Sequence, residues 1–66
     1  MNTELANKMY QLVIDTNGNP SISQIKELGY SEGQAIEMTI RMANSNRAKL
    51  VEIAKERIDK EETTND

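Results

Sequence analysis

Few side chains in this sequence are suited to chemistry. Its 66 residues include no histidine, cysteine, tryptophan or phenylalanine. That removes the commonest general base, the commonest metal ligand, the thiolate nucleophile and most aromatic anchors. Carboxylates, amides, lysines and arginines remain, and none is arranged for catalysis. Glu32 and Glu37 stand five positions apart, so at about 100° per residue on a helix they point to different sides, with no base or ligand cluster beside them. The run Asp15-Thr16-Asn17-Gly18-Asn19 is polar enough for a calcium loop but lacks the alternating acidic ligands and closing glutamate of one; it reads as a turn. The sequence therefore implies no enzyme, no cofactor and no metal.

Recognition chemistry is better represented, in two sets. Met38, Arg41 and Met42, with Ile53 alongside, would make a small apolar patch carrying one arginine, a composition favoured at the centres of protein interfaces. Methionine suits adaptable contacts. This set points to a small regulatory or inhibitory protein whose partner is another protein or a second copy of itself; the bland reading of the same residues is the domain's own core or a homodimer seam. The other set is Gln34 and Arg41, able to read base edges, with Ser31 or Lys26 on phosphate. That would be a DNA-binding regulator, acting as a dimer. Against it, the formal charge is -3 and the pI about 4.9, whereas nucleic-acid binders draw affinity from basic residues facing phosphates. Glu37, between Gln34 and Arg41, would repel phosphate.

Both sets depend on helices for their positions. Leu5, Met9, Leu12 and Val13 recur on one face of a first helix near 3–15, with Ala6, Tyr10 and Ile14 in a second row and Thr3 as its cap. Breakers follow: Asn17 or Gly18 suits a left-handed C-terminal residue, and Pro20 cannot continue the helix. Ser21 with Gln24, and Ser31 with Gln34, each carry the spacing of a capping box, opening helices near 22–28 and 32–43. Gly29 suits the tight turn between them. In the longer of the two, Ala35, Ile36, Met38, Thr39, Ile40, Met42 and Ala43 cover more than half of the circumference, wider than one core needs. Asn44-Ser45-Asn46 offers a break with good caps before a last helix near 46–61, its inner seam Leu50, Val51, Ala54 and Ile58. The predicted core is Leu12, Val13, Ile25, Leu28, Ile36, Ile40, Val51 and Ala54.

The central pair, with its short first helix at Ile22–Leu28, Gly29 in the turn and Ser31 capping the second helix, resembles the helix-turn-helix of small bacterial and phage regulators. The resemblance covers about a third of the chain. It implies that the second helix enters the major groove. Such motifs carry a small residue where this sequence has Ile25, four positions before the turn glycine, so a close crossing of the two helices is not expected.

The fold class expected is all-α: a compact bundle of three to four helices with a helix-turn-helix-like centre. It would form one domain over 1–62 with a flexible tail over 63–66. No apolar run approaches the roughly 18 residues of a membrane span, and the N-terminus has neither a basic nor a hydrophobic leader segment. A cytoplasmic protein without membrane contact is the reading.

Overall fold

Four helices make up the computed structural model, which describes residues 3–64; the side chains of residue 3 and of residues 60–64 lie outside the description. The helices are α1 (Thr3–Asp15), α2 (Ile22–Leu28), α3 (Glu32–Ala43) and α4 (Arg47–Thr64). No strand occurs among the described residues. α1 lies along α4 in the most extensive helix contact, α2 packs on α3 and on α1, and α3 touches α4 more lightly. The chain is thus an all-α bundle.

The caps written in the sequence form. Ser21 Oγ accepts from the Gln24 backbone N–H at 3.1 Å, and the Ser21 N–H donates back to Gln24 Oε1 at 2.9 Å. Ser31 and Gln34 repeat the exchange at 3.2 and 3.0 Å. Each box satisfies two donors that a helix start would otherwise leave open. At α4, Asn46 Oδ1 accepts from the Lys49 N–H at 3.2 Å. Thr3 is the first residue of α1, and its capping role falls on a side chain outside the description.

α1 ends in a Schellman arrangement. Gly18 N–H donates to the Val13 carbonyl at 2.8 Å and Asn17 N–H to the Ile14 carbonyl at 3.1 Å. Asn17 and Gly18 both take positive φ, 56° and 81°, as that motif requires of the residue after the cap. Thr16 Oγ1 adds a bond to the Leu12 carbonyl at 2.7 Å. Gly18 is also pressed against the start of α4: a Cβ placed on it would lie 2.9 Å from Arg47 Cβ. The turn therefore needs glycine for both its dihedral and its space.

Met9, Val13, Ile25, Ala35 and Ala54 form the buried core, with Ile25 wholly inaccessible. Tyr10, Leu12, Ile14, Leu28, Tyr30, Met38, Met42, Leu50 and Val51 pack around it, half-buried. Leu12, Leu28 and Val51 thus join the core as expected, at its margin. Ile36 and Ile40 do not. They are 41% and 56% exposed, the reverse of their predicted burial. α3 is rotated so that Ala35, Met38, Thr39 and Met42 face inward. Alanine at the contact lets the helices approach, and unbranched methionine fills an irregular gap that a β-branched side chain fits poorly. α4 continues to Thr64, past the expected end near 61 and into the region read as a tail, while residues 65 and 66 lie outside the description.

Ile25→Ala should remove about 2–5 kcal/mol of stability, since the site is closed on all sides and cannot collapse freely. Urea denaturation followed by circular dichroism measures it. The glycines give a second expectation in the same assay. Gly18→Ala should cost more than about 1 kcal/mol because the native conformation and the space are both incompatible with a Cβ. Gly33→Ala, where a Cβ would meet nothing within 4 Å, should be neutral or stabilising by up to ~1 kcal/mol.

Candidate functional site on the outer face of α3

The inward set of α3, Ala35, Met38, Thr39 and Met42, follows i, i+3, i+4, i+7, one side of a helix. About 140° around the axis lies a second stripe, Gly33, Ile36 and Ile40, at i, i+3, i+7. Glu37 and Arg41 follow each isoleucine by one residue and line the edge of this stripe. Their ion pair is 3.2 Å long, with the Arg41 and Glu37 side chains 78% and 69% exposed. Exposed, it adds little to folding. The Thr39 hydroxyl donates to the Ile36 carbonyl at 2.8 Å and the Ser45 hydroxyl to the Arg41 carbonyl at 2.8 Å, fixing both ends of the segment that carries the pair.

The residues expected at a protein contact are divided by the structure. Arg41 is on the surface. Met38 and Met42 are half-buried and pack against the core, and Ile53 on α4 is half-buried. The exposed apolar area of α3 belongs instead to Ile36 and Ile40, which the sequence reading had placed in the core. Residue size gave no signal for this in the sequence: α3 holds two apolar stripes, one with Ala35 and the other with Gly33.

The residues considered for DNA are all exposed, and most are engaged locally. Gln34 Oε1 accepts from both the backbone N–H and the hydroxyl of Ser31, at 3.0 and 3.2 Å, so base reading by Gln34 would cost the reciprocal half of the capping box of α3. Arg41 is held by Glu37. Lys26, on α2, lines an open depression with Ser23 and Glu27. A second shallow cleft, of about 280 Å³, lies between α1 and the end of α2, lined by Glu4, Leu5, Lys8, Leu28 and Gly29.

Among the described residues, no group of three His, Cys, Asp or Glu side chains could hold a metal ion. No described helix is long and apolar enough to cross a membrane. Compared with models of protein families, with curated proteins and with solved structures, the chain matches none.

The two faces of α3 should separate in a stability assay. Ile36→Lys and Ile40→Lys should each change unfolding free energy by no more than about 0.5 kcal/mol. Met38→Ala and Met42→Ala, which remove packing against the core, should each cost about 1–3 kcal/mol.

Proposed function

We propose that this chain is a small non-catalytic regulatory or inhibitory protein that acts through protein–protein contact at the outer face of α3. The observation that carries this reading is the exposure of Ile36 and Ile40 one helical turn apart on one stripe. Singly exposed isoleucines are ordinary on a protein surface. Two in register, bordered by an open glycine and by an arginine, match an interface centre better than a solvated helix face. Arg41 keeps the role expected of it. Met38 and Met42 support the face from below, and the apolar part of the contact passes to the isoleucines.

The net charge of -3 supports a protein partner over duplex DNA, whose phosphates would meet Glu37 beside Arg41. Gln34 is tied to its cap and Arg41 to Glu37, so a DNA-reading α3 would give up two local contacts before making a new one. A cytoplasmic location belongs to the same reading.

Affinity capture from the native host, repeated after nuclease treatment, tests it. A protein should be retained by the parent chain after nuclease. Ile40→Lys, at equal helicity, should reduce retention by about tenfold or more, equivalent to ~1.4 kcal/mol or more of binding. Glu56→Ala, on the exposed side of α4, should leave it unchanged. Loss of all captured material on nuclease treatment, together with salt-sensitive binding to duplex DNA, would reverse the reading in favour of the helix-turn-helix regulator.

A further inference from the structure

The outer face of α3 has a property that its composition alone does not convey. Ile36 and Ile40 are separated by four residues, and Glu37 and Arg41 by the same four. Consider a second copy of α3 laid antiparallel on the first, related by a two-fold axis across the stripe. If the axis sets Ile36 of one copy over Ile40 of the other, symmetry sets Ile40 over Ile36 as well. The equal spacing then sets Glu37 near Arg41 of the second copy, and Arg41 near its Glu37. The axes ideal for the two pairings differ by one residue, about 1.5 Å along the helix, which offsets the facing charges by twice that, about 3 Å, within the reach of glutamate and arginine side chains.

Such a face is self-complementary: it joins apolar to apolar and acid to base with itself, as an isologous interface must. A strongly acidic or strongly basic partner would satisfy only one of the two charges. Gly33 adds room, because no atom stands within 4 Å of where its Cβ would be and the opposing backbone can come close there. The 3.2 Å pair within one chain would exchange for pairs between chains, or share its charges with them, at little cost because it is exposed.

We infer that the chain self-associates through an antiparallel α3–α3 contact centred on Ile36 and Ile40, with Glu37 and Arg41 paired reciprocally across the two-fold axis. This rests on the protein-contact reading above and names the partner as a second copy. One face of a short helix offers less than the roughly 800 Å² per partner of a standard interface. The dimer is accordingly weak, with a Kd on the order of 100 μM.

Sedimentation equilibrium of the full chain from about 10 μM to about 1 mM should show a monomer–dimer equilibrium with that constant. Ile40→Lys should raise the Kd about tenfold or more, with helicity unchanged by circular dichroism. Glu37→Arg alone, and Arg41→Glu alone, should each do the same, since like charges then face one another. An equimolar mixture of those two variants should regain dimer, because each facing position in the mixed pair again joins opposite charges. Loss of the ion pair within one chain cannot produce that recovery, as both variants lack it. A chain monomeric at 1 mM would overturn self-association yet leave nuclease-resistant capture of a different protein, and its loss in Ile40→Lys, standing. A dimer indifferent to Ile40→Lys, or a mixture no more associated than its components, would overturn this face as the interface.

Discussion

The burial of Ile25 is the constraint on which the rest of this small structure depends. It is the one large side chain in the described core with no accessible surface, and it comes from the shortest helix. Seven residues are too few to hold a helix in water, where the cost of nucleation outweighs so few backbone bonds. α2 persists because the Ser21–Gln24 box closes its start, Gly29 at φ 124° ends it with an N–H donated to the Lys26 carbonyl, and Ile25 anchors it between. The surrounding core residues are adapted to that anchor. Met9 and Val13 come from α1, and Ala35 and Ala54 bring the small side chains of α3 and α4 to the same cluster. The large residue is on the short helix and the small ones are on the helices that face it, an exchange of bulk across the contact.

This exchange determines what the protein shows to solvent. With Ala35 turned to the core, the geometry of the helix fixes the directions of every other side chain on α3. Met38 and Met42 go inward with it. Ile36 and Ile40 are left outside, and Gly33 with them. The exposed face is thus a consequence of how the core is filled, which ties recognition to folding: a change at Ala35 or Ile25 that rotated α3 would alter the surface without touching it. Gly18, at the opposite end, lets the turn after α1 lie against the first residue of α4. The packing of α2 on α1 and of α3 on α4 joins the α1–α4 contact to the α2–α3 pair.

Most local features were legible in the sequence because they are settled by neighbours in the chain. Both capping boxes, the left-handed Asn17 and Gly18, the turn at Gly29 and the start of α4 behind Asn46 depend on side chains within a few positions of the backbone groups they satisfy. The inward faces of α1 and α4 were legible for a related reason: each helix has one dominant apolar side, so periodicity leaves little choice, and Met9, Val13 and Ala54 follow from it. The far end of α4 was less so, since residues such as Lys60, Glu61 and Glu62 suit a helix and a solvated tail equally well.

The rotation of α3 was decided only by the tertiary structure. Its apolar residues span too much of the circumference for a hydrophobic pattern to select a side, and the stripe with the two isoleucines, the more apolar one, is the one left outside. Packing distinguishes them by shape. At the contact around Ile25 the helix seats Ala35, wholly buried, with Met38 and Met42 half-buried beside it. The sequence by itself determined an all-α chain whose helix starts behind Ser21, Ser31 and Asn46 are closed by side chains a few positions away. Which half of α3 faces inward, and with it the identity of the exposed residues, was set by the volume left between helices, a quantity that exists only once they are packed.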